Sequence, residues 1–132
     1  MPHVSLERQG EKVLTLETVP RNISVADIPV DPLTPAVFHI LLALSGGDRH
    51  GYAIMQEVSE SLPMGPGTLY GTLKRMLSAG LVEEAGERPD PVLNDERRRY
   101  YRITITGRHA AEIEAKRLQS LVRLARSKAV LT

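Results

Sequence analysis

Residues 64–82 read MGPGTLYGTLKRMLSAGLV. Three glycines and one proline fall within the first eight of these residues, although the apolar residues recur at helical spacing. Glycine inside a helix costs roughly 1 kcal/mol relative to alanine. A helix built from this stretch therefore needs a compensating contact, and we hypothesise that the glycines let the backbone approach another molecule closely.

The two sides of this helix differ when residues are placed at 100° intervals. The side expected to pack on the rest of the protein collects Leu69, Leu73, Met76, Leu77 and Gly80. The opposite side is small at its start and basic further along, and it collects Gly67, Gly71, Lys74, Arg75 and Ser78, with Thr68 and Tyr70 at its flanks. Unpaired N–H groups and the positive end of the helix dipole favour phosphate at such a start. The pattern favours a helix that enters a DNA groove, and the alternative is an ordinary solvated basic face.

Two helices are predicted before this one. Thr34 followed by Pro35 is typical of a helix N-terminus, and residues 35–47, PAVFHILLALSGG, end on glycines that suit a C-cap. This first helix is apolar almost all round, which places it in the core or at a subunit interface. Asp48 is the predicted N-cap of a second helix over residues 49–62, and Pro63 ends it.

After Gly80 the period of the sequence changes. LVEEA and RRRYYRIT read as two strands, and the intervening GERPDPVLNDE (residues 86–96) reads as the loop between them. A long final helix is expected from Thr104 or Thr106 to about Lys128. The predicted fold is mainly α with a small β-hairpin, a winged helix-turn-helix domain over residues 34–105 followed by a C-terminal helix over residues 106–132.

The second strand of this hairpin carries a basic cluster. Side chains alternate along a strand, so Tyr101 and Ile103 are expected on the buried face. Arg97 and Arg98, close to the loop, are then placed to reach phosphate or the minor groove, whereas Arg102 is expected to hold an acidic neighbour.

Residues 1–33 stand apart from this regular pattern. They carry three basic and five acidic residues and one β-favouring run, KVLTLETV. We expect an N-terminal extension that is partly ordered or adds one strand, and the alternative is an arm that binds a partner or covers an interface.

The net charge of +1 hides an asymmetry along the chain. Residues 97–132 contain ten Lys or Arg against two Glu, whereas residues 32–96 contain four basic against nine acidic residues. Concentrated basic charge suits an anionic partner, although a solvated helix face also explains a charge run.

The sequence shows few features of an enzyme or of an exported protein. The chain has no cysteine, and its four histidines show no metal-ligand spacing. Neither an H-E-x-x-H nor a G-x-S-x-G motif occurs. We predict that the chain is not an enzyme and takes no cofactor or metal. The N-terminus lacks signal-peptide order and no apolar run reaches membrane-span length, so we expect a cytoplasmic protein.

Three blocks of sequence, in this order and spacing, resemble the PadR family of bacterial transcriptional regulators. They are HGYAIMQEV from residue 50, GPGTLYGTLKRMLSAGLVEE from residue 65, and RRRYYRITITGRHA from residue 97. The resemblance covers roughly residues 33–132. It implies a winged helix-turn-helix, homodimerisation through the C-terminal helix, and binding to a pseudo-palindromic operator in double-stranded DNA, usually as a repressor.

The resemblance also implies which residues contact DNA. Carried over by position, they are Gly67, Thr68, Tyr70, Lys74, Arg97, Arg98 and Arg99, with Tyr52 as a phosphate contact or a packing residue. The basic face of the helix adds Arg75 to this set. The sequence departs from the family pattern at Gly71, where members often carry a bulkier residue or proline. A pocket that holds flat drugs by aromatic stacking is not expected, because the chain has one phenylalanine and no tryptophan. Whether a small-molecule effector exists stays open.

The final helix carries an apolar stripe with spacings of four and three, the seam of a helix that packs along a partner. Together with the apolar first helix, it predicts a dimer interface made of Val37, Leu41, Leu44, Ala111, Ala115, Leu118, Leu121, Val122 and Ala125. The alternative function is a winged-helix homodimer that uses the same faces for protein contacts. Salt distinguishes the two, because phosphate contacts release counterions and weaken steeply with ionic strength.

Overall fold

The structure is a computed structural model that describes residues 32–89 and 97–132. The predicted extension up to residue 31 and most of the predicted hairpin loop lie outside the described residues. The elements are α1 (Pro35–Leu44), β1 (Arg49–His50), α2 (Gly51–Val58), α3 (Pro66–Ser78), β2 (Val82–Pro89), β3 (Arg97–Ile103) and α4 (Ile105–Ser127). The predicted mainly α fold with a winged-helix order of elements is confirmed, with β1 as an addition that the sequence pattern did not indicate.

Two helix starts follow the predicted cap chemistry. The Thr34 hydroxyl accepts a hydrogen bond from the Val37 amide at 3.3 Å, and Pro35 is the first residue of α1. The Thr104 hydroxyl accepts from the Gly107 amide at 3.0 Å and starts α4. In both cases a side-chain oxygen satisfies an amide that has no partner within the helix.

The predicted start of the second helix is wrong. His50, and not Asp48, is the N-cap of α2, and its Nδ1 accepts from the Ala53 amide at 3.1 Å. Residues 49 and 50 form β1 because they pair with β3, which delays the helix until Gly51. The helix also ends at Val58, earlier than the predicted residue 62.

The three strands form one antiparallel sheet in the order β1-β3-β2. The β2–β3 pairing runs from Val82 opposite Ile103 to Pro89 opposite Arg97, with an irregularity between Glu84 and Glu87. Gly86 lies in that interval with a positive φ of 93°, a conformation that glycine adopts at little cost. The predicted loop over residues 86–96 therefore begins too early, because β2 continues to Pro89. Strands β2 and β3 together form the wing of the domain.

The hydrophobic core lies where the helices meet the sheet. Its largest fully buried side chains include those of Ile40, Leu41, Leu44, Ile54, Leu69, Leu73 and Met76. Tyr100 and Tyr101 are adjacent in β3 and both are buried, although strand alternation predicts that only Tyr101 is. Tyr100 is covered on the other face of the sheet by the His50 ring, 5.3 Å away, and by the Arg88 guanidinium, 4.0 Å from its centroid.

A buried carboxylate ties α4 to the start of α1. The Glu114 side chain on α4 accepts a hydrogen bond from the Leu33 amide at 3.3 Å and from Nε of Arg117 at 3.1 Å. The Arg117 guanidinium and, to a smaller degree, the Leu33 amide hold the pKa of Glu114 below its usual value, against the opposing effect of burial. The ionised carboxylate therefore anchors the long helix to the rest of the domain.

The first turn of α4 also packs tightly on Ile103 of β3 and on Leu81, the residue before β2. A Cβ atom placed on Gly107 would lie 2.9 Å from Cγ1 of Ile103 and 3.1 Å from the carbonyl carbon of Leu81, and still closer to the Leu81 oxygen. The Leu81 carbonyl is held in place because it accepts a hydrogen bond from the Thr104 amide at 3.1 Å. Only glycine fits at this crossing without a backbone shift.

Gly107→Ala should lower the free energy of unfolding by about 1–3 kcal/mol, the usual cost of forcing an extra carbon into a well-packed site. Gly71→Ala is the matched control, because a Cβ atom there would meet only the end of the Arg75 side chain at 3.8 Å. The control should raise stability by up to about 1 kcal/mol, as expected for removing a glycine from a helix. Urea unfolding measures both, and equal stabilities for the two variants would contradict the close α4–Leu81 contact.

Candidate nucleic-acid interface

The outward face of α3 carries the exposed part of the predicted site. Leu69, Leu73 and Met76 are buried, as predicted, and so is Thr72, which the sequence analysis did not place inward. Thr72 is satisfied locally, because its hydroxyl donates to the Thr68 carbonyl at 2.7 Å and accepts from Arg75 at 3.3 Å. The exposed residues that remain on this face include Gly67, Thr68, Tyr70, Lys74 and Arg75.

The start of α3 leaves its backbone amides accessible. Gly65 is the N-cap and offers no side chain to the first turn, while Pro66 supplies no amide of its own. Among the described residues, no side chain caps this helix by accepting a hydrogen bond from an amide of its first turn. The amides of Gly67 and Thr68 belong to exposed residues in the first turn, at the positive end of the helix dipole, an arrangement that favours an anionic oxygen.

The first turn of α2 joins this surface through Tyr52. Its ring is 42% exposed, and its hydroxyl accepts a long hydrogen bond of 3.4 Å from Gln56. The guanidinium of Arg98 lies 5.7 Å from the ring centroid, within cation–π range. The structure therefore brings together Tyr52 of α2 and Arg98 of β3, two site residues that are far apart in the sequence.

The three wing arginines have different surroundings. Arg97 is exposed and donates to the Glu87 carbonyl at 2.7 Å, whereas Arg98 is half-buried. Arg99 is exposed and faces Glu84 at 3.9 Å and Glu87 at 3.8 Å. Exposed ion pairs of this kind contribute only about 0–1 kcal/mol, so Arg99 can exchange these carboxylates for a phosphate at small cost.

Asp48 is a site residue that the sequence analysis assigned to a different role. Its carboxylate accepts from Arg102 of β3 at 3.1 and 2.9 Å, and from Arg88 of β2 at 3.0 Å. One carboxylate thus holds both strands of the wing against the loop before β1. The expectation that Arg102 holds an acidic neighbour is confirmed, and Glu83 also lies 3.8 Å from this arginine.

The Asp48 carboxylate is favoured in its charged form. Hydrogen bonds from Arg102 first, and then from Arg88, hold its pKa below the usual value and outweigh the opposing effect of burial. No sequence pattern could have shown this contact, because Asp48 and Arg102 are 54 positions apart.

The residues predicted for a dimer interface fall into three groups, which are buried, half-buried and exposed. Leu41 and Leu44 are buried in the core of the protomer itself, with 0% and 1% of their surface exposed. They cannot also face a partner, and the interface proposed below omits them. Val37, Ala111 and Ala125 are half-buried, and the exposed remainder consists of Ala115, Leu118, Leu121 and Val122.

Apolar side chains outside that predicted set are also exposed. They include Leu42 on α1 and Ile113 and Leu124 on α4, each about half exposed at 48%, 48% and 50%.

Within residues 32–89 and 97–132, no helix is long and apolar enough to cross a membrane, and no group of three or more His, Cys, Asp or Glu side chains is arranged to hold a metal ion.

Asp48→Asn tests the wing contact through its pH dependence. A carboxylate whose pKa is lowered by folding stabilises the protein above its unfolded pKa, about 3.9 for Asp, and this stabilisation is lost as the pH falls through the lower folded value. The variant should therefore be less stable than the parent near neutral pH, and the difference should shrink below about pH 4.

Glu57→Gln is the control for the change in net charge, because Glu57 of α2 pairs with Arg49 of β1 at 3.2 Å and, among the described residues, forms no ion pair with Arg88 or Arg102. Urea unfolding across this pH range measures both variants. A deficit of Asp48→Asn that stays constant from neutral to acid pH would show that its cause is not the charge of the carboxylate.

Comparison of sequences relates the chain to regulators of transcription. Residues 40–113 match the sequence model of the Transcriptional regulator PadR-like family. Transcriptional regulator Rv3488 of Mycobacterium tuberculosis is 35% identical over 86 residues, which span 64% of this chain and 77% of that protein.

Solved structures share the fold of this chain. A PadR family transcription regulator from Clostridium difficile R20291 aligns with a TM-score of 0.63 and 26% identity, over 73% of this chain and 99% of that chain. A PadR-like transcriptional regulator from Bacillus cereus aligns with a TM-score of 0.59 and 22% identity, over 73% of this chain and 91% of that chain, which shows a shared fold.

Proposed function

The chain belongs to the PadR-like family of transcriptional regulators, and we propose that it acts by binding a specific sequence of double-stranded DNA as a homodimer. The expectation that it is not an enzyme is confirmed by this membership. The proposal further holds that the operator is pseudo-palindromic, that binding represses transcription, and that the protein works in the cytoplasm. It assigns the winged-helix domain to residues 34–105 and dimerisation to the helix from residue 106 onward.

The observation that carries the proposal is the exposed face of α3. Its first turn offers the amides of Gly67 and Thr68, and the next turns offer Lys74 and Arg75. Small residues at the start let the helix backbone approach a base edge or a phosphate, and the basic residues that follow suit the phosphate backbone. Thr68 and Tyr70, which flank this start, are assigned to base contacts.

The wing supplies the second contact in this proposal. The first three residues of β3 are Arg97, Arg98 and Arg99. Tyr52 places a hydroxyl and a ring beside Arg98. Phosphate contacts position a protein on the duplex, while base contacts specify the sequence. We assign the wing arginines and Tyr52 to positioning.

A protein-interaction module is the second candidate, and one observation favours it. Exposed carboxylates reduce the positive charge around the wing, since Glu84 and Glu87 lie beside Arg99 and Glu83 lies beside Arg102. A surface of mixed charge also suits a protein partner. Salt separates the two candidates, since an apolar or mixed protein interface weakens much less with ionic strength than one made with phosphates.

The first test is selection of bound sequences from random duplex DNA at about physiological salt, followed by measurement of affinity against salt concentration. Lys74→Ala and Arg98→Ala should each weaken binding to selected and to unrelated DNA together, and each should flatten the salt slope by about one unit. Lys116→Ala is the control, because it removes an equal charge from an exposed pair with Glu112 on α4. Affinities that do not change in either wing or α3 variant would favour the protein-interaction module.

The proposed homodimer rests on the exposed stripe of α4. Leu118, Leu121 and Val122 are 37%, 47% and 43% exposed, and Leu42 of α1 adds to the apolar surface at 48%. A lone protomer leaves these side chains in water, and an interface of standard size, of order 1,600 Å², would cover them.

Val122→Glu places a charge in the middle of this stripe and should convert the dimer to a monomer, because an unpaired buried charge is costly. Ser120→Glu introduces the same charge at an exposed position about 180° around the helix and should leave the dimer intact. Sedimentation velocity at micromolar concentration measures the assembly state. A parent chain that sediments as a monomer would contradict the proposed dimer.

A further inference from the structure

Gly51, the first residue of α2, lies directly beneath the side chain of Tyr70 on α3. Gly51 is buried, and a Cβ atom placed on it would lie 2.6 Å from Cζ and 2.7 Å from Cε1 of Tyr70, and closer still to the hydroxyl oxygen. Real Cβ atoms essentially never approach another atom within 3.0 Å. The phenol end of Tyr70 therefore occupies the space of a Cβ atom at position 51, and a residue with a Cβ there would displace this side chain.

Backbone conformation does not explain this glycine. Among the described residues, the glycines with positive φ are Gly47, Gly80 and Gly86, so Gly51 has a backbone that other residues can adopt. Alanine has a higher helix propensity than glycine, and α2 would gain from it at this position. The feature that distinguishes position 51 is the close approach of the Tyr70 side chain, which a Cβ atom would displace.

The contact with Gly51 acts on a side chain whose backbone position is already fixed. Tyr70 follows Leu69, which is fully buried, so the position of its Cα is set by the core. The side chain itself is 47% exposed and would otherwise be free to change rotamer. Contact with Gly51 holds the phenol end against α2, while the exposed part of the ring faces outward.

We propose that Gly51 is a positioning residue for DNA recognition, which fixes the orientation of Tyr70 before DNA binds. This inference rests on the proposed function, in which Tyr70 contacts bases. A side chain that is already ordered loses less conformational freedom on binding. Gly51 therefore contributes to discrimination between DNA sequences through Tyr70.

A double-mutant cycle on the full-length chain tests this coupling. Gly51→Ala should reduce the ratio of affinities for selected and unrelated DNA by about three- to tenfold in the parent, the usual range for ordering one such side chain. In a Tyr70→Ala background the same substitution should change the ratio by less than twofold, because the ring that it displaces is gone. The double variant also lacks the steric clash, so it folds even if the single variant is weakened.

Fluorine NMR of chains labelled with 3-fluorotyrosine provides a readout without DNA. The chain has four tyrosines, and a Tyr70→Phe variant assigns the signal of Tyr70. Gly51→Ala should shift or broaden that signal, because the added Cβ atom displaces the phenol from its position against α2. An unchanged Tyr70 signal would overturn the proposal.

The outcomes separate this inference from the proposed function. If Tyr70→Ala discriminates between DNA sequences as well as the parent does, the base-reading role of Tyr70 is wrong, and the positioning role of Gly51 fails with it. If Tyr70→Ala loses discrimination but Gly51→Ala has equal effects in both backgrounds, the proposed function stands and only the positioning role is overturned.

Discussion

The burial of Leu69, Leu73 and Met76 in the core determines which side of α3 faces outward. These side chains have 0%, 1% and 1% of their surface exposed, and α3 packs on α1, α2 and β2. A rotation of the helix by one residue would expose this row and carry charged side chains toward the core, at a cost of several kcal/mol for an unpaired charge. The small and basic outward face is therefore a direct consequence of core packing.

Three long-range contacts then arrange the neighbouring elements around that face. Asp48 holds Arg88 and Arg102, one from each strand of the wing, and Arg98 lies over the ring of Tyr52. Gly51 accommodates the end of Tyr70, which links α2 to α3. Each contact joins residues that are distant in the sequence, and each leaves at least one basic or aromatic group exposed. The proposed DNA surface thus combines α2, α3 and β3.

Local signals predicted much of the fold, and long-range contacts account for what they missed. The Thr34 cap, the course of α3 and its inward row depend on residues within a few positions of one another, so the pattern was sufficient for them. The His50 cap depends on β1, a two-residue strand that exists only through pairing with β3. Tyr100 is buried because His50 and Arg88 cover the face that strand alternation leaves exposed. Leu41 and Leu44 belong to a helix that is apolar all round, and its pattern alone cannot separate the protomer's own core from a partner's surface.

The most direct test of the central claim is the pattern of backbone amide chemical shifts when isotope-labelled protein is titrated with a selected DNA duplex. If the outward face of α3 reads DNA, the largest changes should fall on Gly67, Thr68 and Tyr70, with further changes at Tyr52 and in residues 97–99. Residues of the buried row, such as Leu73, should change less. Changes confined to α4, with the amides at the start of α3 unaffected, would contradict the claim.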